Sequence, residues 1–385
     1  MALNVILIED DAVDELYPLS LTSNSWQLRT GRHTIIERWR AALSDASITV
    51  NSHRTLHQKL YEHESPNPDM SQSAPLLIVL STFLLSPESM KRLAHHASQI
   101  SRAGVIVDGT STVGAILPMT PIHVDDIISL IDTTPSDDVD LVAVEGKLMR
   151  RAWDVLDAIS DGVAWDASLA PYRIAPSAKI DPTAVIDESL GPVLIDEDAV
   201  IGALSVLQGP ISIGAHAVVK PHAHITHSVI GPHCKVGGEV SVSVLHGFSN
   251  KQHYGFLGHT VIGHWVNLGA GTTTSNLKNT YHDVRPRMPW GREDSGRLFL
   301  GSLIGDYTRT AIGTLLPTGG VYGVCTHIMA AGLSASKQSS FVWSDGVVYD
   351  REKAFETCDA MMKRRGLELS DLHRQVLDDV RGRDA

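Results

Sequence analysis

Aliphatic residues recur six positions apart along much of this chain, and few sequence features narrow a fold as far. The spacing holds from Ile180 to Ile186, Ile195 to Ile201, Ile213 to Val219 to Ile225, and Ile230 to Val236. After an interruption it resumes at Phe256, Ile262 and Leu268. Ile-Gly pairs begin at Ile201, Ile213, Ile230, Ile262, Ile304 and Ile312, and a small residue often stands two before the next aliphatic one, as at Ala184, Ala199, Ser205, Ala217 and Ala223. A period of six suits neither a helix nor an ordinary strand. It suits a triangular coil whose three six-residue sides make a turn of about 18 residues, with the aliphatic residue inside and the small one at the corner. Glycine after isoleucine is expected where the corner backbone takes dihedral angles that side chains disfavour. The period predicts a left-handed parallel β-helix of hexapeptide repeats over residues 173–335, its repeats spanning roughly 175–332.

Residues 1–165 read as an α/β domain with a partly parallel sheet. Val5–Ile8, Leu76–Leu80 and Val105–Val107 are short, continuous apolar runs typical of buried strands. Thr34 and Glu37 have capping-box spacing and open an amphipathic helix through Trp39 and Leu43. Residues 62–75 are polar and read as a solvated loop. Residues 336–385 read as a capping segment, with Phe341 and Trp343 sealing the coil's end. Two helices follow, near 351–365 and 370–381, parted at Gly366.

The net charge of −12 argues against nucleic-acid or anionic-membrane partners, while leaving room for a local basic pocket that takes a phosphorylated substrate. Cys234, Cys325 and Cys358 are sparse and far apart in sequence, which points to a reducing cytoplasm rather than a disulfide framework. No apolar run approaches bilayer length, so a cytoplasmic protein is expected. Zinc-type spacing, a Walker loop and a Gly-x-Ser-x-Gly elbow are all missing, and no metal site is expected in the coil.

The repeat rhythm breaks at 240–256 and again from 279 to about Leu298, where Arg285, Arg287, Arg292 and Arg297 fall. Loops that leave a rigid prism are where repeat proteins place function. The first break holds His253-x-x-Phe256-x-Gly258, and Val266 to Asn276 follows as Val-Asn-Leu-Gly-Ala-Gly-Thr-Thr-Thr-Ser-Asn. Together these resemble the acetyltransferase half of the GlmU-like family, the N-acetylglucosamine-1-phosphate uridyltransferase / glucosamine-1-phosphate acetyltransferases. Ser249 to His253, Ser275 to Asn279 and Ser340 to Trp343 resemble a divergent branch of that family, the putative sugar nucleotidyltransferases, in which an α/β segment precedes the coil.

The resemblance implies an acyl-coenzyme A dependent N-acyltransferase acting on an amino sugar, with acetyl-CoA or another acyl-CoA as co-substrate and a homotrimeric assembly. It makes His253 the general base, an imidazole titrating in the range that acyl transfer to an amine needs. His246 is the competing base. Asn276 would hydrogen-bond the thioester carbonyl or the sugar. Lys220, Lys251 and Lys278 are candidates for sugar-phosphate or coenzyme A phosphates, or are solvated lysines. Glu239 would meet a sugar hydroxyl or ammonium, and Ala270 lies in a Gly-Ala-Gly corner that is either a cofactor contact or simply tight geometry. Phe256 stands where the family has tyrosine, and no basic residue stands about a dozen positions before His253.

Leu28 to Glu37 resembles the stretch that follows the activating lysine of sugar nucleotidyltransferases. The glycine-rich phosphate loop that should precede it is missing, and Glu9-Asp10-Asp11 stands there instead, which would repel phosphate. Ser81-Thr82 occupies the place of a metal-binding aspartate, so Mg enters only if this domain is active. Arg29 and Arg32 remain candidates for an anion. Two further readings stay open, a sugar-1-phosphate nucleotidyltransferase and a non-catalytic trimeric scaffold that binds a sugar nucleotide.

Overall fold

A computed structural model describes residues 3–68, 74–118, 139–329 and 332–384, which divide into two compact units. The first comprises residues 1–13, 24–28 and 33–150; the second comprises 14–23, 29–32 and 151–385. The expected boundary near 165 therefore falls earlier, because helix Ile159–Leu169 groups with the coil, where the Ser160 hydroxyl lies 3.2 Å from Nε2 of His227.

In the first unit, strands order as Ser47–Asn51, Asn4–Ile8, Leu76–Leu80, Ser111–Leu117, Gly104–Asp108 and Asp140–Ala143. The first three are parallel; Ser111–Leu117 runs antiparallel to both of its neighbours. Each short apolar run of the sequence is a strand here, and Thr34 and Glu37 cap helix Ile35–Ala42 reciprocally. Residues 69–73 of the expected polar loop lie outside the described residues.

The second unit is built on a left-handed parallel β-helix. Ile201, Ile213, Ile225 and Ile262 point inward and are at most 1% exposed. Regular turns take 18 residues, as in Leu207 to Ile225 and Ile195 to Ile213. The apparent break at 240–256 is no protruding loop. The coil tightens there, pairing Ile225 with Val240 after 15 residues and Val240 with Leu257 after 17. Sides of five residues hide the period of six. They also move the inward position from Phe256 to the fully buried Leu257. The second break is a true insertion carrying the hairpin Arg287–Met288/Gly291–Arg292. Ile262 pairs with Ile304, 42 residues on, yet Ile304 and Tyr322 return to the step of 18.

The Ile-Gly glycines serve close packing more than dihedral freedom. A Cβ at Gly202 or Gly214 would come within 2.6 Å of the next turn's backbone. The left-handed backbone falls on His216, His233, Phe248, Trp265 and Tyr307, two residues after such a glycine except at Phe248, which stands directly after Gly247. Their rings stack along one corner, with centroids 4.8, 4.5, 4.3 and 6.3 Å apart in turn. Ile312, expected inside, is 73% exposed, and Gly313 does take a positive φ.

Helices Arg351–Lys363 and Asp371–Asp384 confirm the C-terminal pattern, and Gly366 between them takes a positive φ. Phe341 does not plug the coil. It joins Trp265, Tyr307, Phe355 and Met362 in a cluster outside the prism, whereas Tyr322 fills the inner stack and bonds Ser334 and the Ala335 carbonyl. The same outer cluster brings the Cys325 and Cys358 sulfurs to 3.5 Å. Among the described residues no helix is long and apolar enough to cross a membrane.

Candidate functional site

His253 sits at a coil corner just after Lys251, and Lys251 occupies an inward slot. It pairs beside Val236, in the row that carries Val219 and Ile201, and is 2% exposed. With aliphatic neighbours on this row, its ammonium finds only backbone: Nζ donates to the Gly237 carbonyl at 3.0 Å and the His253 carbonyl at 2.6 Å. Burial pushes the amine down to about 8. Lys251 therefore does not meet a substrate phosphate, as the sequence allowed. It holds the His253 corner from within.

The corner is fixed from two further sides. Gly238, at φ 73°, lies beneath it, and a Cβ there would reach 3.0 Å from the His253 carbonyl oxygen. Tyr254 spreads over Gly271, where a Cβ would reach 2.9 Å from its hydroxyl, and the Gly271 N–H donates to the Tyr254 carbonyl at 3.2 Å. The His253 side chain itself is exposed. A well-held backbone thus presents a free imidazole.

Asn276 belongs to the next corner. Its amide lies 2.9 Å from Nδ1 of His259, a residue the sequence reading passed over. His259 stacks on Phe299 at 5.2 Å; burial, then Arg297 and His227, push its imidazole down to about 4. The Phe256 ring and the Asn276 amide crowd over Gly258. Between the corners runs one face of the prism, where Glu239 pairs with His224 on one side and Phe256 on the other. Bends at 253–255 and the strand Phe256–Gly258 separate the His253 corner from His259. Within one chain the two predicted catalytic residues, His253 and Asn276, therefore flank a face without meeting.

The remaining candidates divide. Lys220 is half-buried with its stem against Gly237, one turn below the His253 corner. Lys278 is engaged with the Asp283 carbonyl of the inserted loop. The Gly-Ala-Gly corner is tight geometry: a Cβ at Gly269 would meet the Ala311 carbonyl at 2.5 Å, and Ala270 accepts from the Gly313 N–H at 2.8 Å. His246 is unsuited as a base. It is 2% exposed, bonded through Nδ1 to the Ile262 carbonyl, and pushed down to about 3 by burial and by His264.

The first unit's strand ends hold a closed polar knot. Burial raises the Glu9 carboxyl, but Arg54, Ser52 and the Ser25 N–H outweigh it and hold the group below its ordinary range. Ser81 bonds Ser25 and the Ile8 carbonyl, so this donor set does not fit a divalent metal. Arg29 bonds the Arg32 carbonyl. Arg32 is committed to Asp196 at 2.6 Å and to the Tyr172 and Arg173 carbonyls, so neither arginine waits for an anion.

Residues 5–170 match the family described as sugar nucleotidyl transferase. A bifunctional sugar-1-phosphate nucleotidylyltransferase/acetyltransferase from Sulfurisphaera tokodaii is 35% identical over 131 residues, covering 33% of either chain. A bifunctional GlmU protein from a Picosynechococcus species is 34% identical over 94 residues, 23% of this chain and 21% of that one. These matches span a third or less of the relatives' length. Among solved structures, a Francisella novicida UDP-N-acetylglucosamine acyltransferase aligns over 55% of this chain and 89% of its own, at 16% identity and a TM-score of 0.20.

Proposed function

We propose that this GlmU-like chain, with its sugar nucleotidyl transferase segment ahead of a hexapeptide coil, is an acyl-coenzyme A dependent N-acyltransferase of the hexapeptide-repeat class. Its acceptor is an amino sugar carrying a phosphate or a nucleotide. The observation that carries the reading is the His253 corner, where an exposed imidazole stands on a backbone held by Lys251, Gly238 and Tyr254, beside a face bearing Glu239 and Phe256. As the acceptor amine attacks the thioester carbonyl, His253 takes the amine's proton. The tetrahedral intermediate then collapses, the C–S bond breaks, and the imidazolium returns the proton to the departing thiolate. An amide N–H of Asn276 is suited to the developing oxyanion.

Because His253 and Asn276 lie on different corners, a site using both needs a second copy, and a three-fold ring satisfies this for every chain at once. A homotrimer is expected by light scattering at micromolar concentration; a monomer would defeat the shared site. The transferase itself is tested with a panel of acyl-CoA thioesters, amino-sugar phosphates and nucleoside triphosphates. Acyl-CoA should raise the unfolding temperature and release thiol only when an amino sugar is present. Nucleoside triphosphate with hexose 1-phosphate should release no pyrophosphate, since no phosphate-cradling loop precedes Arg29. Metal-dependent pyrophosphate release without thiol release would install the nucleotidyltransferase reading instead.

A further inference from the structure

Helix Arg351–Lys363 does two things with its two faces. Ala354, Phe355, Cys358 and Met362 anchor it to the aromatic corner. Thr357, Ala360, Met361 and Arg364, spaced three and four apart, instead overhang a row of neighbouring rungs, Lys235, Asn250, Asn267 and Arg309. Between them lies a pocket of about 470 Å³.

The charge of this pocket runs against that of the chain. In a protein of net charge −12 it is lined by Lys235, Arg309, Arg364 and Arg365, and by no carboxylate. None of the four has an ion-pair partner among the described residues. Arg365 donates to Asn250 Oδ1 at 3.1 Å, and Arg309 reaches only the Met361 thioether, a weak acceptor. Lys235 is held below the ordinary lysine range by burial and then by Arg365, Lys220 and Arg364. Four cations gathered without a counter-charge repel one another, and an anion that joined them would relieve that repulsion.

The chemistry of that anion can be narrowed. Guanidinium forks favour phosphate and carboxylate oxygens, and the volume lies in the range of small-molecule sites and far exceeds one phosphate group. Asn250, Gln252 and Asn267 add amides for hydroxyls or ring heteroatoms, while the edges of Phe248 and Trp265 form an apolar wall. Gln252 links this pocket to the His253 corner, being the residue just before the imidazole.

We infer that the pocket under helix Arg351–Lys363 binds a phosphate ester of nucleotide size. The inference deepens the transferase reading and rests on it for its biological source, since both an acyl-CoA and a nucleotide-linked sugar end in a nucleoside diphosphate. Calorimetric titration of the full chain with ADP, UDP, CoA and inorganic pyrophosphate tests it. At least one nucleotide should bind, with affinity falling as salt rises. Lys235→Gln combined with Arg364→Gln should weaken it tenfold or more, while His253→Ala binds as the parent does. CoA and ADP together, or UDP alone, identify the source. Unchanged affinity in the double variant, or no binding by any of the four probes, overturns the pocket. Normal binding with no acyl transfer from any thioester leaves the pocket standing and sinks the transferase reading, so the two fail separately.

Discussion

His253→Ala is expected to lose roughly 10²–10⁴-fold in turnover with the acceptor amino sugar, the usual range for removing a general base. Its assembly state and unfolding temperature should stay those of the parent. The imidazole is exposed and belongs to neither buried cluster, while the corner's fixing contacts run through the His253 carbonyl and not the ring. The affinity for acyl-CoA should also hold, separating a lost proton acceptor from a lost site. His259→Ala is the informative companion. If it abolishes turnover while His253→Ala remains active, the base lies on the Asn276 corner and the reading of His253 is wrong. If both fall equally with lowered unfolding temperatures, the change is structural. Steady-state thiol release beside a thermal melt distinguishes the three.

The other large effect concerns stability and pH. Lys251 is charged in an aliphatic stack, with an amine at about 8 in place of the ordinary 10.5. Between those values the unfolded chain binds the proton more tightly than the folded one, so stability rises with pH across that window. At about 1.4 kcal/mol per pH unit, the gain amounts to about 3 kcal/mol from pH 8 to pH 10.5. Below pH 8 the burial cost is present in full. Lys251→Met keeps the length and volume and removes the titration, so it should be at least as stable as the parent at pH 7 and should lose ground to it by pH 10. Urea unfolding of the two proteins at matched pH reads this as a difference, which cancels the other titrating groups. A flat difference would mean that the lysine does not lie inside the coil.

The coil was legible because its period is physical: an inward position every six residues demands an aliphatic side chain, and Ile201, Ile213 and Ile225 supply it. Where sides shorten to five, the same logic misled. Lys251 reads from sequence as a phosphate-binding or solvated lysine because no aliphatic pattern is expected to contain one, and the period of six places Phe256 inward where Leu257 stands. In the first unit, continuous apolar runs marked the strands. The Glu9 carboxylate looked like uncompensated charge because its partner Arg54 stands 45 residues away. His253 carried a motif and could be singled out. The partnership of Asn276 with His259 could not, since it depends on which residues share a corner once the turn lengths are known. The basic pocket is harder still. Lys235, Arg309 and Arg365 are scattered over 130 positions, and only the rung register and a returning helix collect them.

The insertion after Asn276 lets the coil vary without retuning. Ile262 meets Ile304 on the rung that an uninterrupted turn would have supplied, so the 24 extra residues are invisible to the core. Closing a loop costs only about 0.6 kcal/mol for each doubling of its length. A lineage carrying this protein can therefore lengthen, shorten or exchange that segment as a cassette, redrawing what approaches the Asn276 corner, while every inward side chain stays under its old constraint. The insertion and the coil's inner packing therefore lie on separate stretches of chain, and the first can drift quickly while the second stands still.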